Sequence, residues 1–275
     1  MQFSFCSLGM PLLVSRHCLE KNMIVSIDPE SLYGQNETFE RVNKTIATGD
    51  GMYVAENKDH YFIVGASALA SITECIDAAG LARSNIKRIL DYACGYGRVL
   101  RWLQAGFTDA YLLGVDADPK AVTAAQNVLG VETRRLDTTL THAIDSPFDL
   151  IWVGSLFTHL PKSEMARVLL YLSGHLTAGG VLVFTTHGRI VEQRLKSRSR
   201  TYNLSADMIP GMLDEFRVEG FAFSEYPGVI DYGISIVRPS HVALMIEDAG
   251  MNQIFFKDRG WAVHQDVSGA VVFGG

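Results

Sequence analysis

The stretch from Arg88 to Arg98, RILDYACGYGR, limits what this chain can become more than any other. A short apolar run ends in a carboxylate, Asp91. A tight loop of small residues follows, and then the amphipathic segment Val99-Leu100-Arg101-Trp102-Leu103. That order predicts a strand, a sharp turn and the start of a helix. Gly95 and Gly97 permit positive φ and leave no Cβ in the way of a ligand. The helix turns its unpaired N–H groups and positive dipole end toward whatever lies over the loop. In open α/β sheets, ligands bind at that place.

The same pattern then repeats. Strands are predicted at Lys87 to Tyr92, Tyr111 to Val115 (ending at Asp116), Val131 to Leu136 (ending at Asp137), Phe148 to Val153 and Val181 to Thr186. Helices are predicted between them at Gly97 to Ala105, Ala121 to Leu129 and Lys162 to Leu176, with Asp118 as cap and Pro119 in the first turn of the second. Strands and helices alternating at this spacing give βαβ units, a parallel sheet and right-handed crossovers. Upstream, Gly65 is expected to break the run from His60, and Ser67 to cap a helix from Ala68 to Ala79. After His187 the rhythm changes. A helix is predicted from Ser205 to Phe216, strands at Phe221 to Ser224 and Gly233 to Val237, a helix from Pro239 to about Ala249, and closing strands at Gln253 to Phe256 and Val267 to Phe273. The string from Gly260 to Asp266 reads as the turn of that last hairpin.

Asp91 selects the ligand. A carboxylate at the mouth of the glycine loop would repel a pyrophosphate. It suits a ligand with an ammonium and a sulfonium, and S-adenosylmethionine (SAM) carries both with no phosphate. The full G-x-G-x-x-G spacing is also lacking, since Leu100 stands three residues after Gly97. The run LDYACGYGR resembles motif I of the class I SAM-dependent methyltransferases, [D/E]-x-G-x-G-x-G, with Ala93 where the first glycine usually stands. The resemblance extends over about Tyr61 to Phe273. It implies a Rossmann-like α/β fold: a seven-stranded, mostly parallel sheet with an antiparallel C-terminal strand and helices on both faces. Residues 1–58 are then a leader, and 59–275 the methyltransferase domain, with a substrate-side insertion at about 189–238. Such leaders often fold over the cofactor, which brings Tyr53 and Tyr61 into view.

Three acids end successive strands. Asp91 is placed near the methionine ammonium. Asp116, about twenty residues after Gly95, stands where an acid accepts both ribose hydroxyls of an adenosine. The string LLGVDADP resembles the second methyltransferase motif and implies that Asp116 and Ala117 line the cofactor. Asp137 matches the position that meets the adenine amino group, with Leu136 as its apolar neighbour. The loop residues Ala93, Gly95 and Gly97 complete the cofactor set, along with Ser155, whose small side chain lets the methionine portion lie close. The string SLFTHLP, Ser155 to Pro161, resembles many small-molecule methyltransferases. His159, and His187 at the end of the fifth strand, are the candidate general bases, because imidazole titrates near neutral pH; His142 and His175 have weaker claims. Tyr226, Asp231 and Tyr232 in the insertion are candidates for the acceptor wall or lid.

The formal net charge of −6 argues against a broad phosphate-binding surface. The dense basic run, Arg189 to Arg200 (RIVEQRLKSRSR), reads as a solvated helix face or loop, or as a site for an acidic substrate. Cys6, Cys18, Cys75 and Cys94 form neither a C-x-x-C pair nor a zinc spacing, so reduced thiols, a cytoplasmic setting and no metal are expected. The first residues, to about Met23, read as an extension. They lack the basic region and cleavage site of a signal peptide, and no later run has the ~18 apolar residues of a membrane span. The expected activity is methyl transfer from SAM to an O or N atom of a small-molecule acceptor, such as a sugar or secondary metabolite. The acceptor partner is a small molecule rather than nucleic acid or membrane. The rival readings are an NAD(P)-dependent oxidoreductase and a SAM-binding protein without turnover.

Overall fold

The computed structural model describes residues 36–141, 144 and 147–272. Cys6, Cys18, Met23, His142 and Phe273 lie outside the described residues.

Nine strands are described. β1 (Arg88–Tyr92), β2 (Tyr111–Asp116), β3 (Glu132–Arg135), β4 (Phe148–Val153), β5 (Leu176–Thr186), β8 (Asn252–Trp261) and β9 (Gln265–Val271) form one sheet in the order β3-β2-β1-β4-β5-β9-β8. β1 to β5 pair in parallel, and β9 runs antiparallel to both β5 and β8. This is the doubly wound arrangement expected from the alternation. β6 (Phe221–Glu225) and β7 (Gly233–Val237) form a separate antiparallel pair.

The helices are α1 (Asn36–Arg41), α2 (Lys58–Ala78), α3 (Leu100–Gly106), α4 (Pro119–Leu129), α5 (Lys162–Ser173), α6 (Arg189–Ser197), α7 (Met208–Glu219) and α8 (Pro239–Asp248). Alternate strand residues face opposite layers. In β4, Leu150 and Trp152 join the core under α2 and α3, while Ile151 and Val153 join the core under α5 and α8. Residues of α6, α7, β6 and β7 close a third cluster of their own around Leu195, Met212, Phe216 and Ile234.

Gly65 does not break its helix. α2 runs unbroken from Lys58, and a Cβ on Gly65 would lie 2.2 Å from Trp102 Cδ1. The missing side chain is what lets the two helices approach. Ser67 is mid-helix rather than a cap, and its Oγ accepts from the Ala262 N–H at 2.8 Å. Helix Ala55–Ala78 is long and apolar enough to cross a membrane by composition, but 67% of that apolar window is buried inside the fold.

Other boundaries shift for tertiary reasons. β5 begins at Leu176 and runs through Gly179-Gly180, because Leu176 pairs with Phe148 across an irregularity in β4. The helix predicted from Ser205 begins at Met208. β8 extends to Trp261, whose indole is buried and donates to the Val64 carbonyl at 2.8 Å. The turn proper is therefore Ala262 to His264, with Ala262 and Val263 at positive φ. The basic run from Arg189 is a helix, α6, anchored by buried Val191 and Leu195.

Candidate active site

The chain leaves β1 at Tyr92 and turns at once, with Ala93 at φ 66° and Gly95 at φ 53°. Ala93 therefore holds a left-handed conformation that costs a side-chain-bearing residue about 1–2 kcal/mol. At Gly95 a Cβ would meet nothing within 4 Å, so the turn faces open space. Gly97 has the expected positive φ, 86°, and a packing role besides. Its missing Cβ makes room for Leu129 of α4, which such a carbon would meet at 2.6 Å, so this glycine serves packing.

Beneath the turn lies Asp91, 2% exposed, with Oδ2 buried and unpartnered. Burial, followed by the nearby Asp116 charge, pushes its carboxyl up to about 8. Desolvation of this size persists where a ligand repays it. Asp116 is held by the backbone. Its Oδ2 accepts from Gly95 N–H at 2.8 Å and its Oδ1 from Asp118 N–H at 2.9 Å. Burial raises its pKa and these backbone donors oppose the rise. Asp118 caps α4 through Lys120 N–H, as expected. Ala117 is buried beside Asp116. Leu136 donates its N–H to the Asp116 carbonyl, which draws the end of β3 to the end of β2. Asp137 bends back on its own loop, accepting from Thr139 N–H and Oγ1 and from Thr141 Oγ1.

Asp50 and Tyr53, ahead of α2, pack against Tyr61 within it. Tyr61 is 1% exposed and donates to Asp50 Oδ2 at 2.7 Å, while buried Arg101 donates to the Tyr61 hydroxyl at 3.3 Å. Tyr61 is thus a core residue whose hydroxyl is already engaged; Tyr53 packs edge-on against it. Arg98, the last residue of the glycine-loop string, stands 5.6 Å over the Trp261 ring and forms no hydrogen bond among the described residues.

The other end of the cleft is built by β4, β5 and β9. Ser155 has φ 64°, and its N–H donates to Thr185 Oγ1 at 2.8 Å. Thr185 donates in turn to Gln265 Oε1, and Gln265 Nε2 donates to Ser155 Oγ at 2.9 Å. His159 Nδ1 lies 2.8 Å from the Gly233 carbonyl. A carbonyl only accepts, so Nδ1 carries the proton and Nε2 keeps its lone pair. Tyr232 stacks on the His159 ring at 5.0 Å, and the Tyr226 hydroxyl stands 3.3 Å from Nδ1. His187 is 4% exposed, its Nδ1 buried and unpartnered. Its ring lies 6.4 Å from His159 and 5.2 Å from His264. Burial holds His159 below its ordinary value and His187 well below it, while His264 falls to about 4. All three imidazoles are neutral at neutral pH.

Asp231 lies in the connection between β6 and β7. Its N–H donates to Glu225, but its carboxylate forms no hydrogen bond or ion pair among the described residues. His175 is far from the cluster, bonded to Tyr171 and Ile144.

Residues 89–180 match the family model of a methyltransferase domain. The match begins on β1 and ends in β5, so it contains the glycine turn and all three strand-end acids. Residues 89–180 carry a methyltransferase domain, set in a sheet of the class I SAM-dependent methyltransferase type. A malonyl-[acyl-carrier protein] O-methyltransferase from Bacillus anthracis is 28% identical over 162 residues, covering 56% of this chain. The match spans 57% of that relative's length. A SAM-dependent methyltransferase from Clostridium acetobutylicum superposes with a TM-score of 0.53 at 15% identity, covering 76% of this chain and 92% of the other. A sugar N-methyltransferase from a Streptoalloteichus species gives 0.52 at 18% identity, covering 77% and 88%. These structures share the methyltransferase fold.

Within that fold the sequence reading missed Gln265 and His264. Both stand at the amino end of β9. Because β9 is antiparallel, its amino end meets the carboxyl ends of β4 and β5. The signal was the expected antiparallel strand itself, had its start been read with the ends of the others.

Proposed function

We propose that this methyltransferase moves a methyl group from SAM to an oxygen or nitrogen of a small-molecule acceptor, a sugar or secondary metabolite, in the cytoplasm. One observation carries the reading: a fully buried carboxylate, Asp91, keeps an unpartnered oxygen under a glycine turn that opens on empty space. An ammonium satisfies that oxygen and a diphosphate does not.

When bound, SAM supplies a methyl already activated on a sulfonium, so the protein's work is alignment. Asp91 would hold the ammonium, with Ala93 and Gly95 giving backbone clearance. Asp116, fixed by Gly95 and Asp118, would accept the ribose hydroxyls. Ala117, Leu136 and the loop held by Asp137 would flank the adenine. Ser155 would border the methionine portion. His159, with Nε2 free, is the better-placed base, and His187 the second. A neutral imidazole takes the acceptor's proton as the methyl arrives. Residues 189–238, with their own core, form the acceptor-side wall, to which Tyr226 and Tyr232 contribute rings and Asp231 a carboxylate.

Calorimetry with SAM, S-adenosylhomocysteine and NAD(H) tests the cofactor. Micromolar binding of the first two without the third is expected, and NAD(H) binding that SAM does not displace refutes the reading. Mass-spectrometric search for methylated product across alcohols, amines and sugars separates turnover from binding alone.

A further inference from the structure

Arg189, Lys196, Arg198 and Arg200 of the basic run are exposed, but Arg194 and Arg200 also turn toward the aromatic cluster beside them. Arg200 stands 4.9 Å over the Tyr202 ring, and Arg194 Nη1 lies 3.4 Å from the Tyr202 hydroxyl. That hydroxyl is 3.0 Å from His264 Nε2, and the Tyr202 and His264 rings stack nearly parallel. Tyr202 also faces His187 at 5.6 Å. The charge of Arg200 reaches His187, His264 and Tyr226, three groups on three different segments. Both arginines therefore border the cluster of Tyr202, His264 and His187, within which His187 Nδ1 is unpartnered.

Neither Arg194 nor Arg200 forms an ion pair among the described residues. Glu192 is taken by Lys196. Asp266 accepts from the Arg259 N–H and packs on Gly188. In a chain of net charge −6, two uncompensated cations above neutral imidazoles are a local reversal of sign.

We propose that the acceptor is an anion, whose carboxylate or phosphate is held at the pocket mouth by Arg200 and Arg194 beside the Tyr202 hydroxyl. Its hydroxyl or amine then reaches inward to the histidines. This rests on the methyltransferase reading and names the substrate class of the same site. Guanidinium groups match both oxyacids in geometry and charge.

The test uses the full chain loaded with S-adenosylhomocysteine at pH 8. Phenyl phosphate, benzoate and benzyl alcohol are titrated in turn, followed by calorimetry and by the His264 ring-proton resonance, assigned with H264Q. Saturable binding of an oxyanion and none of benzyl alcohol is expected, and the tighter of the two anions identifies the oxyacid. Arg200→Gln, on an exposed side chain, and Arg194→Gln are each expected to weaken it by about tenfold or more, while the distant Arg217→Gln leaves it unchanged. The inference is overturned if neither anion saturates in the tens of millimolar, if benzyl alcohol binds as well, or if both arginine variants bind like wild type. Binding of S-adenosylhomocysteine without an anion response removes this inference alone; no binding of S-adenosylhomocysteine removes the methyltransferase reading with it.

Discussion

The two ends of the crevice are held by different means. At the β1–β2 end, a carboxylate is fixed by backbone N–H groups within a short span of sheet: Asp116 takes Gly95 and Asp118. At the β4–β5 end, side chains are fixed by partners far along the chain. His159 meets Gly233 across 74 residues, Tyr202 meets His264 across 62, and Gln265 meets Ser155 across 110. A site for an invariant ligand can be written into turns. A site for a variable acceptor is assembled from segments that change independently, on a scaffold that stays put.

The sharpest way to break this comparison is to remove the proposed base. His159→Gln is expected to lower kcat by about 10²–10⁴ while SAM affinity holds; single-turnover kinetics beside calorimetry would show it. Equal losses in kcat and in cofactor affinity would mean the two ends are not separable. The converse change, Asp116→Ala, is expected to weaken SAM by about 100-fold, the loss of two charge-assisted hydrogen bonds, with the fold retained by circular dichroism.

Asp91 tests the cofactor end through protons. Its carboxyl is raised from 3.8 to about 8, so its contribution to the stability of the ligand-free protein is complete below the lower value. That contribution is lost as pH rises through the upper one. Asp91→Asn should flatten this part of the stability profile in urea titrations at several pH values. An ammonium bound there would restore the anion, so SAM binding near pH 7 is expected to release about one proton. Calorimetry in buffers of different ionisation enthalpy reads that proton, which the Asn variant should not release. The smallest effect is Ala93→Gly. Relief of the left-handed strain, less the entropy of glycine, should stabilise the protein by at most about 1 kcal/mol, read from thermal melts.

Much of the scaffold was legible before any coordinates. The strand ends at Tyr92, Asp116 and Val153 and the cap at Asp118 follow from local pattern, because apolar runs, turn residues and caps act over a few residues. Gly65 shows where that logic fails. By propensity a glycine weakens a helix, yet here it is the only residue that admits Trp102, a contact 37 positions away in sequence. At Gly97 the expected positive φ is present, but the space its missing Cβ leaves is taken by Leu129, a packing contact that local pattern does not show. The basic run, read as a helix face or loop, is helical as α6, but its contact with Tyr202 could not be read locally.

Taken alone, the sequence determined that a parallel sheet would end in acids around a glycine turn, since hydrophobic period and backbone preference are short-range forces. Only the tertiary structure decided which side chains would gather at the proposed acceptor site. An antiparallel last strand carries His264 and Gln265 to the edge where β4 and β5 end, and the residues between α6 and β7 fold a small core that sets Tyr202, Tyr226 and Tyr232 against them. Those contacts bridge long loops, and no local rule encodes which distant residue will be packed against which.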